Sequence, residues 1–240
     1  MKTFKYRLGV KYPMLLLSIA SILIGFVSPA RATTIVVGMG ATFFDNTAPF
    51  STFYTGQYQQ IYSASVFGQP FLISTISFQT GFDSGAQQAT YDFTLSLGTT
   101  SRTPGNPGSS YSGTFTPVFS GIVPVNFTNP RSFDFNIPLS TPFLYNPALG
   151  NLLMDVVMHS ATDSPPGSSL FAWSQNDPQL GRVYNSSGTG PATAGPNNGL
   201  VTSFTGATTV PDSGATVLLL GAGVAAVVGV RRTLYNFGSS

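Results

Sequence analysis

The chain contains no cysteine and no glutamate, and it has one histidine and one tryptophan among its 240 residues. The absence of cysteine excludes disulfides and cysteine-ligated metals. A zinc site needs three or four ligands, which a single histidine does not supply. That histidine is His159, and residues 33–209 contain no G-x-S-x-G motif that would supply a serine nucleophile for it to activate. This argues against a serine hydrolase. The sequence therefore predicts a protein that is not an enzyme and has no cofactor.

Positive charge is also scarce in the middle of the chain. Residues 33–210 contain no lysine, three arginines and seven aspartates, a net charge of −4. Most of the affinity of nucleic-acid-binding proteins comes from lysine and arginine on phosphates. The composition therefore excludes nucleic acid as a partner, and it places the basic residues at the two ends of the chain.

The N-terminal end has the pattern of an export signal. Four basic residues precede an apolar run over residues 14–27: Lys2, Lys5, Arg7 and Lys11. Ala30 and Ala32 then supply the small residues of a signal peptidase site. We predict a signal peptide over residues 1–32 that forms a helix and is cleaved after Ala32. An uncleaved anchor is the alternative.

The C-terminal end has a second apolar run, residues 215–230, which Arg231 and Arg232 follow. Its 16 residues are fewer than the roughly 20 that a bilayer-spanning helix needs. Basic residues favour the cytoplasmic side, so the run predicts a transient membrane helix with residues 33–210 outside. A helix buried in a soluble core is the alternative, although no polar stripe interrupts the run.

Immediately before this run stands the sequence VPDSG. The order of VPDSG, a short apolar helix and a basic stop resembles the C-terminal sorting signals of the PEP-CTERM group. The resemblance implies a sorting signal over residues 210–234, a short tail over 235–240 and processing by an exosortase-like enzyme. It also implies that Arg231 and Arg232 are the basic stop and that five residues are recognised: Val210, Pro211, Asp212, Ser213 and Gly214.

Between the ends, short alternating segments are separated by turns rich in glycine and proline. This pattern predicts an all-β ectodomain over residues 33–204, an antiparallel β-sandwich or jelly roll, followed by a stalk over 205–209. The ten predicted strands are 34–38, 57–63, 71–80, 91–97, 114–120, 132–137, 152–159, 170–174, 181–184 and 200–204. Three prolines within or beside these strands, Pro117, Pro124 and Pro138, predict edges or bulges.

The alternation also predicts which side chains face the core. In segment 91–97, four apolar residues share the inward face: Tyr91, Phe93, Leu95 and Leu97. In segment 71–80, strict alternation places Leu72, Ser74, Ile76 and Phe78 on one side. It places Ile73, Thr75, Ser77 and Gln79 on the other.

Aromatic and acidic side chains are the remaining candidates for a site. Phe171 and Trp173 alternate on one strand, and with Tyr184 they are candidate glycan contacts if exposed; a place in the core is the alternative. Asp92 and Asp134 are expected on polar strand faces. Asp83, Asp163 and Asp177 are expected to shape loops, where calcium binding is a further alternative.

The sequence thus predicts an exported, non-enzymatic protein with a structural or adhesive role at the cell surface or in the extracellular matrix. Its expected partners are signal peptidase, an exosortase-like enzyme and, transiently, the inner membrane. A carbohydrate-binding module acting on exopolysaccharide is the alternative function. A glycan hydrolase with paired carboxylates is less favoured, since the chain has no glutamate to act as the acid.

Overall fold

The structure is a computed structural model, and it describes residues 32–39, 42–46, 48–52, 54, 56–81, 87–127, 129–164, 171–185 and 191–208. These residues form strands β1 (Ala32–Val37), β2 (Thr42–Asn46), β3 (Gln57–Tyr62), β4 (Phe71–Phe78), β5 (Gln87–Thr100), β6 (Thr116–Phe127), β7 (Phe135–Tyr145), β8 (Asn151–Ser164), β9 (Phe171–Gln175), β10 (Leu180–Tyr184), β11 (Thr193–Gly195), β12 (Asn198–Leu200) and β13 (Thr202–Thr208). Two short 3₁₀ turns, Ala64–Val66 and Pro147–Leu149, join strands. Within these ranges no helix is long and apolar enough to cross a membrane.

Several predicted features lie outside the described residues. They are signal residues 1–31 with Ala30, Asp83, the sorting residues Val210 to Gly214, the helix over 215–230, Arg231, Arg232 and the tail over 235–240. Ala32, the second residue of the predicted peptidase site, is described and begins β1.

The described strands form three antiparallel sheets. The four-stranded sheet has the order β1-β13-β4-β7, and the six-stranded sheet has the order β11-β10-β3-β8-β5-β6. A three-stranded sheet has the order β12-β9-β2. The prediction of an antiparallel, mostly-strand protein is confirmed, because short alternating segments with β-branched and aromatic residues favour strands wherever one face is buried.

The structure corrects the predicted faces of segment 71–80. Phe71 and Ile73 are buried, and further along the strand Ile76 and Phe78 are buried, so the inward face changes parity. The register of β4 against both neighbours skips Ser74. A bulge adds one residue to one strand and moves the following side chains to the other face, which strict alternation does not anticipate.

The three prolines that predicted edges or bulges do lie in edge strands. Pro117 and Pro124 lie in β6, the edge strand of the six-stranded sheet, and a register shift adjoins Pro117. Pro138 lies in β7, the edge of the four-stranded sheet, beside its own register shift. An edge strand uses only half of its backbone N–H groups for hydrogen bonds within the sheet. Proline, which has no N–H, can therefore occupy the other positions.

The end of the domain differs from the prediction. Residues 205–208 belong to β13, which pairs with β1 and β4 up to Thr208, so the sheet includes most of the predicted stalk. The two neighbouring strands supply partners for the backbone groups of Gly206 and Ala207, which keeps this segment in the sheet.

The core between the sheets is largely aromatic. Phe50, in the segment between β2 and β3, is fully buried and lies at the centre of what we call the aromatic cluster. Its ring centroid is 4.8–5.6 Å from those of five others: Phe78, Tyr91, Phe93, Phe135 and Phe171. These rings come from all three sheets, so one cluster holds the sheets together by apolar burial.

Candidate functional site

Phe171, the first of the three candidate glycan contacts, is at the start of β9 and fully buried. Its ring packs in the aromatic cluster, 5.3 Å from Phe50 and 5.5 Å from Phe127 between ring centroids. A side chain without exposed surface has nothing to offer a saccharide at the surface. Phe171 therefore serves the core, the alternative that the sequence left open.

Trp173 and Tyr184 are only half-buried, and Arg182 lies between them. The guanidinium carbon is 4.5 Å from the Trp173 ring centroid and 4.4 Å from that of Tyr184. Arg182 and Tyr184 share a face of β10 because residues two apart on a strand point the same way, whereas Trp173 belongs to β9. This double cation–π contact links the three-stranded sheet to the six-stranded sheet.

Beside this stack is a second buried group, since Gln60 pairs with Arg182 and Tyr58 with Tyr184 across β3 and β10. We call it the polar layer: Tyr58, Gln60, Tyr62, Thr202 and the backbone of Leu200. Gln60 Nε2 donates to the Leu200 carbonyl at 2.9 Å, and the Leu200 N–H donates to Gln60 Oε1 at 2.8 Å. The Tyr58 hydroxyl also donates to Gln60 Oε1. The amide of one buried side chain thereby pairs with a backbone as a neighbouring strand would.

The polar layer continues through Thr202. Its hydroxyl lies 2.9 Å from that of Tyr62 and donates to the Leu200 carbonyl at 2.9 Å. Gly199 makes the close approach possible, since a Cβ there would lie 2.8 Å from Gln60 Cδ. Burial raises the pKa of Tyr58 to about 12, with Arg182 acting in the opposite direction. The hydroxyl therefore remains a protonated donor at physiological pH.

A separate polar cluster surrounds Asp155, which points to the outer face of the six-stranded sheet and is buried there. Its Oδ1 accepts hydrogen bonds from Gln57 Nε2 at 2.6 Å and from Gln59 Nε2 at 2.9 Å. Burial raises the pKa of the Asp155 carboxyl, and the two amide hydrogen bonds partly oppose that rise. Desolvation disfavours the charged form, whereas donors to it favour it.

The cover over Asp155 is the segment between β5 and β6. The Ser112 N–H donates to Gln59 Oε1 at 3.2 Å, and the Tyr111 hydroxyl donates to the Gln57 carbonyl. Arg102 holds this segment in shape, since its Nη1 donates to the carbonyls of Pro107 at 3.0 Å and Ser110 at 2.6 Å. The glycine- and proline-rich turn thus covers one end of the sheet.

Two further aspartates, Asp177 and Asp163, lie in a turn and in a strand, respectively. Asp177 is buried in the β9–β10 turn and accepts from the Gln179 N–H at 2.8 Å, as predicted for a turn-shaping residue. Asp163 belongs to β8 rather than to a loop, because β8 stays in register with β5 as far as Ser164. The part of the chain that the structure describes contains no group of three acidic or histidine side chains able to hold a metal ion.

His159 lies on β8 just beyond the stretch that pairs with β3, so only β5 accompanies it. The register against β5 skips His159 between Met158 and Ser160. Its Nε2 lies 3.1 Å from Thr94 Oγ1, which in turn lies 3.1 Å from Ser120 Oγ. The ring is thus hydrogen-bonded on an exposed sheet face, as expected for a structural histidine.

The two ends of the domain meet at one end of the four-stranded sheet. Ala32 pairs with Ala207, and Thr33 pairs with Gly206. The strand that begins at the predicted signal peptidase site therefore lies beside the strand that leads to VPDSG. Thr208 is the last residue of β13, two positions before Val210.

Sequence comparison decides the nature of that following segment. Residues 209–234 match the family model described as the VPDSG-CTERM motif. The chain carries a VPDSG-CTERM motif. The match is consistent with a C-terminal sorting signal of the PEP-CTERM type, and such a signal implies an exported, cell-surface protein that an exosortase-type system sorts. A comparison with curated proteins finds no match.

Several buried polar residues were not anticipated from the sequence. Gln57, Gln59 and Gln60 occur in the segment QYQQIY, where three glutamines among tyrosines break the expected alternation. All of β3 except Gln57 is buried, because sheet or loop covers both of its faces. The sequence signal for this burial was that glutamines occupy both alternating faces of the segment and that the segment contains no charged residue.

Proposed function

We propose that this chain is an exported surface or matrix protein with a structural or adhesive, non-enzymatic role. The observation that carries the proposal is the VPDSG-CTERM motif directly after an all-β domain. In this proposal a signal peptide is removed after Ala32. Residues 215–230 then hold the protein briefly in the inner membrane, and an exosortase-like enzyme processes it near VPDSG.

The arrangement of β13 supports this sequence of events. All of its pairing with β1 and β4 lies before residue 209, so processing within the motif removes no strand. The ectodomain, which we propose to be a β-sandwich, keeps its aromatic cluster and leaves the enzyme folded. The short separation of Thr208 from Val210 also brings the enzyme close to the sheet.

Localisation of a truncated chain tests the proposal. In a host with an exosortase system, the full chain should reach the cell surface, whereas a chain that ends after Thr209 should be exported without being sorted. A variant with Pro211→Ala and Asp212→Ala should resemble the truncation, and Pro196→Ala in the β11–β12 turn is the matched control. Equal surface amounts for all four proteins would contradict the proposal.

Carbohydrate binding is a second candidate function, and the half-buried Trp173 and Tyr184 beside Arg182 favour it. Aromatic rings provide apolar faces for sugar rings, and both rings keep exposed surface, whereas Arg182 itself is buried and positions them. Because the chain has one tryptophan, its fluorescence reports on this position alone. Titration with the host exopolysaccharide should shift that emission, and Tyr184→Ala should weaken the shift. An unchanged spectrum at saturating polysaccharide would exclude binding there.

A further inference from the structure

The sheet edges of the described domain are protected unequally. β6 and β7 contain two prolines each, and each of these strands has a register shift against its neighbour. β11 and β12 have only three residues each, and β2 carries an aspartate. Proline, irregular register, short length and charge all restrain one edge from pairing with another.

β1 has none of these protections. Its six residues, ATTIVV, contain no proline and no charge, and its register against β13 is continuous. Five of the six are β-branched threonine, isoleucine or valine, which suit a strand. Thr33 and Thr34 are exposed and Val36 is 40% exposed, and one edge of β1 has no partner among the described strands.

We propose that β1 is an interaction surface that pairs with β1 of a second copy of this chain. Antiparallel pairing about a two-fold axis joins the two four-stranded sheets into one continuous sheet of eight strands. An identical partner fits because uncharged strands bring no like charges together, although each domain carries net negative charge elsewhere. In the proposed mature chain β1 follows the new N-terminus directly, so no preceding segment obstructs the edge.

The geometry restricts which residues can meet. A two-fold axis perpendicular to the sheet leaves each side chain on its own face, and opposed residues in an antiparallel ladder share a face. The axis must therefore pass beside one residue that pairs with its own copy. In the mature chain, which begins at Thr33, the five residues 33–37 on each side form a small interface. Association is therefore weak in dilute solution and favoured where many copies occupy one surface.

The absence of cysteine provides a clean test by oxidative cross-linking of the full chain expressed in its host. Single variants Thr33→Cys, Thr34→Cys, Ile35→Cys and Val36→Cys are compared with Leu144→Cys. Leu144 is exposed on β7, the opposite edge of the same sheet. A disulfide needs Cα atoms within about 7 Å, so one β1 position should give a disulfide-linked homodimer and Leu144→Cys should give none.

A second pair of variants tests the same contact without cysteine chemistry. Val36→Lys, added to the cysteine variant that cross-links, should abolish the dimer because it opposes two like charges. Leu144→Lys, added to the same variant, should leave the dimer unchanged. Thr34→Lys replaces Val36→Lys if Val36→Lys lowers stability. No dimer at any β1 position, cross-linking at every position including Leu144, or a link to a different protein would overturn the proposal. Cross-linking reports contact between two β1 strands and does not depend on where the protein is located. Dimers of protein that is not sorted would therefore support β1 pairing while contradicting the sorting proposal.

Discussion

The aromatic cluster around Phe50 and the polar layer around Gln60 are both fully buried, yet they use different interactions. Phe50 has five aromatic neighbours within 5.6 Å and gains stability from apolar burial. Gln60 has both polar atoms bonded, and its geometry is specified by the Leu200 backbone. The comparison suggests that the cluster supplies most of the stability and that the polar layer fixes how β12 lies against β3.

The largest expected effect in this comparison is that of Phe50→Ala. Removing a fully buried phenylalanine from the cluster should lower the free energy of unfolding by about 3–5 kcal/mol, because transfer and cavity costs add. Chemical denaturation of the purified protein measures it. Ile122→Ala, at a side chain that is 67% exposed, is the control and should change stability by less than about 0.5 kcal/mol. Equal losses would mean that the cluster is not the main source of stability.

A smaller effect is expected in the polar layer from Gln60→Leu. The apolar side chain has a similar size but leaves the Leu200 N–H and the Tyr58 hydroxyl without their partner. Each unsatisfied buried group costs about 1–3 kcal/mol, so a loss of at least about 2 kcal/mol is expected. Gln88→Leu, on an exposed part of β5, is the matched control. A neutral Gln60→Leu would show that hydrogen bonding contributes nothing to this layer.

The smallest expected effect concerns Asp155 and extends the comparison to pH. Since its pKa is raised in the folded state, folding favours the protonated carboxyl. Stability from this group is complete below the unfolded pKa of about 3.9 and is lost as pH rises through the folded pKa. Tyr111 and Tyr54 are the other titratable groups nearby, and burial raises the pKa of each, so both stay neutral in this window.

Asp155→Asn should therefore flatten the dependence of unfolding free energy on pH just above pH 4. Denaturation curves at a series of pH values measure the slope. Ser96→Ala, at the buried residue paired with Asp155 on β5, removes no titrating group and should retain the wild-type slope. An unchanged slope in Asp155→Asn would contradict the assignment of this pH dependence.

Much of the fold follows from local patterns, and the exceptions have physical causes. Each of the ten predicted strands overlaps a strand in the structure, and Tyr91, Phe93, Leu95 and Leu97 all face inward as predicted. β2, β11 and β12 were missed, because β11 and β12 have only three residues each and the segment TFFDN of β2 does not alternate. The β4 faces were misassigned because a bulge depends on register with neighbouring strands, which one segment does not encode.

The site was less predictable than the strands. VPDSG and its flanking residues form a contiguous motif, so the sorting signal was predicted from the sequence and its match is confirmed. The Trp173–Arg182–Tyr184 stack unites two strands from different sheets. Such a contact depends on sheet packing, and local alternation carries no information about it.

Intact-mass spectrometry of the protein recovered from the cell surface tests the central claim most directly. The account predicts a chain that begins at Thr33 and ends within or close to VPDSG, with the apolar run over 215–230 removed. A surface protein that still extends to Ser240 would contradict processing by an exosortase-type system.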